Sequence, residues 1–247
     1  MRRKVRHLLL AVMADLLLLV VLIYMIVSGC FKTAVETGMI AVKKSEMASD
    51  KPDITLQEGI GYEEKVVALT FDDGPHAIYT KELLDGLKAR GVEATFFLMG
   101  SSVEGNEDLI RKMEEDGHLI GNHGYRHIQM TTAGIPAVRE SVEKTGRMIK
   151  GITGIEPEYL RPPYGDWNEE LAETMELTPV FWSVDSLDWK YQNTSQITNR
   201  VLKKVGNGDI ILMHDIFPTS VEAALEIVDT LLAQGYTFVT ADELIID

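Results

Sequence analysis

From residue 66 onward, apolar and polar positions alternate with two different periods. Short apolar runs predict buried strands, and apolar residues about three or four apart predict amphipathic helices. We predict strands at residues 66–71, 94–99, 118–123, 158–163, 179–185 and 209–215, with a last strand and turn at 236–244. We predict helices at residues 81–90, 106–117, 135–154, 167–176, 195–206 and 219–235.

The regular alternation of strand and helix predicts an α/β fold. Apolar strands separated by helices indicate a parallel sheet that is covered by those helices. About seven such units in ~180 residues favour a distorted or incomplete (β/α) barrel. An open doubly wound sheet is the alternative.

The first 30 residues have a different pattern, a basic cluster followed by an apolar stretch at residues 8–27. As a helix that stretch is about 30 Å long, enough to cross a bilayer as an uncleaved anchor. Alternatively, Val27-Ser28-Gly29-Cys30 is similar to a bacterial lipobox, in which Cys30 is lipidated. Basic residues before an apolar helix hold that end in the cytoplasm. Both alternatives therefore predict attachment to the cell membrane, with the following domain outside the cytoplasm.

The domain organisation follows from these patterns. Residues 1–30 form the basic flank and the membrane anchor or lipoprotein signal, and residues 31–63 form a polar, mixed-charge spacer. Residues 64–247 form one α/β domain.

Charge and cysteine content exclude several classes of function. The chain has 247 residues and a net charge of −14. Residues 1–30 hold four basic residues and one acidic residue, so the remainder carries −17. Such acidity argues against a nucleic-acid partner, whose phosphates would repel the domain. Cys30 is the single cysteine, which rules out an intrachain disulfide and any Cys-rich zinc site. No protein partner is inferred.

Polar side chains follow the carboxyl ends of five predicted strands. In parallel α/β folds these ends converge on one face, where active sites lie. The five groups are Asp72 with Asp73, His123 with His127, Arg161, Asp185 with Asp188, and His214. We therefore expect residues distant in sequence to meet in one pocket.

Two of these groups indicate a metal site. His123 and His127 are four residues apart, so one turn can aim both imidazoles at one point. Adding one carboxylate gives two histidines and an aspartate with a position left for water, typical of a catalytic metal. Of the adjacent Asp72 and Asp73, one can bind the cation while the other accepts a proton from water.

The ordered motifs resemble those of a known family. The motifs are Thr70-Phe71-Asp72-Asp73-Gly74-Pro75, His123-Gly124-Tyr125-Arg126-His127, Arg161-Pro162-Pro163-Tyr164-Gly165, Asp185-Ser186-Leu187-Asp188-Trp189 and Leu212-Met213-His214. This series is similar to the five motifs of the NodB-homology polysaccharide deacetylases, carbohydrate esterase family 4. The resemblance covers about residues 64–247.

The resemblance implies the centre of the reaction. Asp73, His123 and His127 would bind a divalent metal, usually zinc, with cobalt or nickel as alternatives. Asp72 would be the general base that takes a proton from the attacking water. Arg161 would hold Asp72 in place through a charge-assisted hydrogen bond.

The resemblance also implies the surroundings of the reacting group. His214 would protonate the leaving amine, with Asp188 orienting its ring and raising its pKa. The backbone N–H of Tyr164 would stabilise the oxyanion. Trp189 and Leu212 would line the pocket for the acetyl methyl group.

One position departs from the family pattern. The family usually has Ser or Thr after the first histidine, where this chain has Gly124. The missing hydroxyl puts the rigidity of the loop and its metal affinity in doubt. Asp185 matches its motif, but no chemical step is assigned to it.

The expected function is metal-dependent N-deacetylation of an amino-sugar polysaccharide outside the cell. N-acetylated cell-wall polysaccharide, and peptidoglycan N-acetylglucosamine in particular, is the leading substrate because the anchor would hold the domain against the wall. An O-acetyl esterase of the same fold and a catalytically inactive wall-binding protein are the alternatives.

Overall fold

A computed structural model describes residues 65–245 of the chain. The predicted membrane anchor or lipoprotein signal, with Cys30, and the predicted spacer at 31–63 lie outside the described residues. Between residues 65 and 245, no helix combines the length and the apolar character needed to cross a membrane.

The described residues contain eight strands, all paired in parallel. The strands are β1 (Lys65–Asp72), β2 (Thr95–Leu98), β3 (Leu119–Asn122), β4 (Tyr159–Leu160), β5 (Thr178–Pro179), β6 (Val184–Asp185), β7 (Asp209–His214) and β8 (Tyr236–Val239). Their order across the sheet is β5-β4-β3-β2-β1-β7-β6, and β8 pairs with the first half of β1. The predicted parallel sheet is confirmed.

One extended segment, residues 178–185, hydrogen-bonds to both edges of this sheet. The Val180 N–H donates to the Leu160 carbonyl on β4 (2.8 Å), and the Ser183 N–H donates to the Ile210 carbonyl on β7 (3.0 Å). The strand predicted at 179–185 is therefore wrong as a single strand, because two short strands at opposite sheet edges replace it. This connection makes the fold a distorted barrel and not an open sheet.

The described residues contain eight helices, and the longer ones pack on the outside of the sheet. They are α1 (Tyr79–Arg90), α2 (Glu107–Glu115), α3 (Met130–Ala133), α4 (Ile135–Thr153), α5 (Glu169–Thr174), α6 (Asp188–Tyr191), α7 (Thr194–Leu202) and α8 (Pro218–Ala233). Short 3₁₀ turns lie at Gly100–Ser102, Pro163–Gly165 and Ala241–Leu244. All six predicted helices are confirmed. The extra helices, α3 and α6, have four residues each, too few for a hydrophobic period to be visible.

The two faces of β1 show how the barrel forms a site. Val67, Leu69 and Phe71 point outward into the main core under the helices, and Phe71 stacks on Phe96 of β2 at 5.2 Å between ring centroids. Alternate residues point inward, because successive side chains on a strand face opposite ways. On the inner face Ala68 belongs to a small apolar cluster with Phe97, Val180 and Ala241. Thr70 and then Asp72 follow toward the carboxyl end.

Candidate active site

The carboxyl ends of β1 and β7 form the centre of a cleft of about 420 Å³. In the sheet register Thr70 is paired with Leu212 and Asp72 with His214, so these four side chains share the inner face. The cleft is lined by Asp72, Asp73, His127, Tyr164, Trp182, Asp185, Trp189, Leu212 and His214.

The ten predicted site residues all lie in or directly behind this cleft. Seven of them line it, and the other three, His123, Arg161 and Asp188, are almost fully buried behind it. The expectation that residues distant in sequence meet in one pocket is therefore met. The structure shows the positions of these residues, whereas their chemical roles stay predictions.

Asp73, His123 and His127 form a group with the geometry of a metal site. One potential ligand atom from each residue lies within 4.8 Å of those of the other two. Asp73 Oδ1 is 3.5 Å from His123 Nε2 and 3.8 Å from His127 Nε2. Asp73 Oδ1 and His123 Nε2 are both buried without a hydrogen-bond partner. Because unpartnered buried polar atoms are costly, this arrangement fits a group that binds a divalent cation.

Both imidazoles turn a ring nitrogen toward Asp73. His123 Nδ1 lies 2.7 Å from the Arg161 carbonyl oxygen, which can only accept, so Nδ1 carries a proton and Nε2 is the nitrogen on the side of Asp73. Burial, followed by the neighbouring His123, lowers the pKa of His127, which favours the form of that ring that can bind a metal. Two imidazoles and one carboxylate match zinc, cobalt or nickel better than magnesium or calcium.

Asp72 is fixed by a buried guanidinium. Arg161 is fully buried, and its Nη1 donates to Asp72 Oδ1 (2.9 Å) and to Thr70 Oγ1 (2.6 Å). The other guanidinium donors reach the carbonyls of Val180 (3.2 Å) and Phe181 (3.3 Å). Burial lowers the pKa of Arg161, and the Asp72 carboxylate opposes that shift.

Replacing Arg161 with Met is expected to lower the free energy of unfolding by about 3–5 kcal/mol. The change leaves Asp72, which is 4% exposed, buried without its cationic partner. Urea unfolding measures this free energy. Arg147→Met is the control, because Arg147 is exposed and pairs only with Glu143 among the described residues, so its loss is expected to cost less than ~1 kcal/mol. Equal losses in the two variants would contradict the expectation.

His214 and Asp188 form a second buried pair. Asp188 Oδ1 lies 2.8 Å from His214 Nδ1, and Asp188 Oδ2 accepts the His214 backbone N–H at 2.7 Å. Burial opposes the charge on His214, but hydrogen bonding to Asp188 and the charges of Asp188, Asp72 and Asp73 outweigh it and raise its pKa to about 9. Burial alone would raise the pKa of Asp188, and the contacts with His214 reverse this and lower it. His214 is therefore a cation at neutral pH, able to donate a proton.

Asp185 has a structural role that the sequence did not predict. Its Oδ1 accepts the Leu187 N–H at 2.8 Å, which closes a turn at the left-handed Leu187 (φ 55°). That turn places Asp188 and Trp189 at the start of α6. Trp189 is 52% exposed at the rim, and Leu212 lines the cleft while being 5% exposed.

Sequence reasoning missed Trp182 and Asp215. Trp182 lines the cleft, and its ring lies 5.7 Å from the Arg161 guanidinium. Asp215 is 1% exposed, and its pKa rises to about 7 because of burial, although the Thr80 hydroxyl donates to it. A Cβ on Gly74 would overlap the Asp215 carboxyl group, so this side chain requires a glycine next to Asp73. In the sequence, the position of Asp215 directly after His214 was the signal that could have identified it.

The chain is similar in sequence to polysaccharide deacetylases. The polysaccharide deacetylase family model matches residues 60–180. The chain is 39% identical over 218 residues to the peptidoglycan-N-acetylglucosamine deacetylase PgdA of Listeria monocytogenes, covering 85% of this chain and 47% of that protein. The chain thus spans about half the length of that relative.

Two further proteins are similar over most of their length. The peptidoglycan-N-acetylglucosamine deacetylase of Bacillus cereus is 37% identical over 186 residues, which cover 72% of this chain and 68% of that protein. The solved structure of the peptidoglycan deacetylase PdaC from Bacillus subtilis superposes with a TM-score of 0.72 at 40% identity, covering 74% of this chain and 90% of that one.

Proposed function

The chain belongs to the polysaccharide deacetylase family, and we propose that it is a hydrolase that removes N-acetyl groups from an amino-sugar polysaccharide with the help of a divalent metal. The observation that carries this proposal is the juxtaposition, in one cleft, of the Asp73–His123–His127 group, the Asp72 carboxylate held by Arg161, and a His214 with a raised pKa. A wall-binding protein without catalysis would have no use for this complete set.

Asp73, His123 and His127 would hold a divalent cation. When bound there, that cation would supply polarisation of the amide carbonyl and would make a water molecule more acidic. Asp72 Oδ2 lies 3.8 Å from His123 Nε2, so this carboxylate oxygen faces the same space as the three ligands. Asp72 Oδ1 is engaged by Arg161, which leaves Oδ2 to accept the proton of the attacking water.

His214 acts at the other end of the scissile bond. Its Nδ1 is held by Asp188, so Nε2 is the ring nitrogen that can give a proton to the leaving amine nitrogen. The Tyr164 backbone N–H is proposed to stabilise the oxyanion, as a preorganised donor at the cleft rim. Trp189 and Leu212 exclude water around the acetyl methyl group, since both line the cleft.

The proposed substrate is the N-acetylglucosamine of peptidoglycan. This proposal rests on relatives that are named as acting on that sugar. We also propose that the domain works outside the cytoplasm, attached to the membrane by residues 1–30, and this rests on the charge and hydropathy of that segment.

Acetate release by the purified full-length chain tests the function. We expect release from N-acetyl-chito-oligosaccharides and from peptidoglycan strands, loss of more than about 100-fold after chelation, and recovery with added zinc. Acetylated xylan is the comparison substrate. Activity on xylan alone would favour an O-acetyl esterase, and no zinc-dependent release from any substrate would overturn the enzymatic proposal.

A further inference from the structure

The loop between His123 and His127 is held by a hydroxyl group from a separate element. Ser141 lies in the middle of helix α4 and is 9% exposed. Its Oγ accepts the backbone N–H of Tyr125 at 2.7 Å. Tyr125 lies between the two histidines, so this hydrogen bond acts on the segment that sets their spacing.

The loop itself provides little to fix its own conformation. Gly124 has no side chain and adopts a left-handed backbone (φ 74°). Its N–H donates to Asn122 Oδ1 at 2.8 Å, and its carbonyl accepts the Gly100 N–H at 2.9 Å. These contacts hold the loop next to His123. At Tyr125, one residue closer to His127, the carbonyl accepts the Ser101 N–H at 2.9 Å and the N–H donates to Ser141 Oγ, so Ser141 provides the side-chain hydrogen bond at this residue.

Gly124 and Ser141 fit each other sterically. A Cβ built on Gly124 would lie 3.1 Å from Ser141 Oγ, closer than an ordinary van der Waals contact. The Ser141 hydroxyl therefore occupies the space that a side chain at position 124 would need. Gly124, which replaces the Ser or Thr usual in the family, therefore leaves room for the Ser141 hydroxyl of α4 to reach the loop backbone.

The two histidines are fixed to different degrees. His123 is 1% exposed, and its ring is held by the Arg161 carbonyl. The His127 side chain is 29% exposed and makes no ring hydrogen bond within residues 65–245, although it packs edge-on against Tyr164 at 4.2 Å. The placement of His127 consequently depends on the backbone that carries it.

We propose that Ser141 is a positioning residue that holds His127 in place as the second imidazole ligand of the metal. The inference rests on the metal site of the proposed function. It adds that this site is preorganised from α4, through Tyr125, before any cation binds. Groups that orient metal ligands typically change metal affinity by about 10–100-fold when they are removed.

The test is the zinc affinity of Ser141→Ala, measured in the full-length chain by competition with a chromophoric chelator. We expect the dissociation constant for zinc to rise by about 10-fold or more. Acetate release should fall at limiting zinc and recover at saturating zinc. Thr153→Ala is the matched control, because it removes another hydroxyl from α4 at the end remote from the histidines, with contacts to the Ile149 and Ile155 carbonyls.

A zinc dissociation constant within about twofold of wild type, whatever the change in Tm, would overturn the positioning role. A second measurement uses the wild-type chain, so it tests the proposal even if Ser141→Ala does not fold. Hydrogen exchange in the metal-free protein is expected to show a protected Tyr125 amide, and rapid exchange there would also overturn the proposal. Neither readout depends on deacetylation, so failure of the proposed function is seen separately, as zinc binding without acetate release.

Discussion

Replacing Asp72 with Asn is expected to lower the rate of acetate release strongly while leaving the divalent cation bound. The substitution keeps the size of the side chain but removes the basic oxygen that takes the proton from water. Loss of a general base typically costs about 10²–10⁴-fold in rate. We expect kcat to fall by that factor, with little change in the dissociation constant for zinc.

The geometry separates the two neighbouring aspartates. Asp73 Oδ1 is the carboxylate oxygen between the two histidines, at 3.5 and 3.8 Å from their Nε2 atoms. Asp72 is 3.8 Å from His123 Nε2 only, and its other oxygen is bonded to Arg161. The backbone enforces this difference, because Asp72 is the last inward residue of β1 and Asp73 turns away at φ 74°.

Asp73→Asn is the matched control. It removes a ligand charge at the adjacent position, so zinc affinity is expected to fall together with activity. Both variants are measured by chelator competition and by single-turnover acetate release. Loss of zinc from Asp72→Asn with retention in Asp73→Asn would mean that the base and the ligand are assigned the wrong way round.

The position of the site could be predicted because it follows from the geometry of parallel strands. Side chains alternate across β1, so the sequence Ala68-Leu69-Thr70-Phe71-Asp72 already puts Thr70 and Asp72 on one face. Parallel pairing then brings the carboxyl ends of distant strands together, and Asp72 meets His214 in register. The alternation of side chains along β1 and the order of the strands in the chain were enough to predict that these residues meet.

Other contacts could not be predicted because nothing local in the sequence encodes them. Residues 178–185 are divided between two sheet edges, and between them the Arg161 guanidinium donates to the carbonyls of Val180 and Phe181. Ser141 looks like one more small residue on the buried stripe of α4, and the packing of that helix in the complete fold brings its hydroxyl to Tyr125. Both contacts join residues whose proximity is set by the complete barrel.

Replacing Asp188 with Asn is expected to lower the pKa of His214 and to shift the alkaline limb of the pH–rate profile to lower pH. In the metal-free protein, burial acts to lower the His214 pKa, but the hydrogen bond and the charge of Asp188, followed by the charges of Asp72 and Asp73, raise it from 6.5 to about 9. An amide at 188 keeps the shape but loses the negative charge. Burial, which favours the neutral ring, then determines the pKa.

The sign of the pH dependence follows from the role of His214. A proton donor works in its cationic form, so activity is present below the pKa and is lost as pH rises through it. The same raised pKa stabilises the folded chain at pH values below 6.5 and loses that contribution as pH approaches 9. In Asp188→Asn both the rate and this part of the stability are therefore expected to decline at lower pH than in wild type.

An NMR titration of the His214 ring in metal-free protein measures the pKa directly, and kcat/KM between pH 5 and about 10 measures its consequence. Asp209→Asn is the control, because Asp209 lies at the other end of β7 and accepts from Ser183 and Gly206 and not from His214. An unshifted His214 pKa in Asp188→Asn would mean that Asp72 and Asp73 hold the proton on this ring. In that case neutralising those two charges, and not the loss of Asp188, would move the alkaline limb, and Asp188 would serve only to orient the ring.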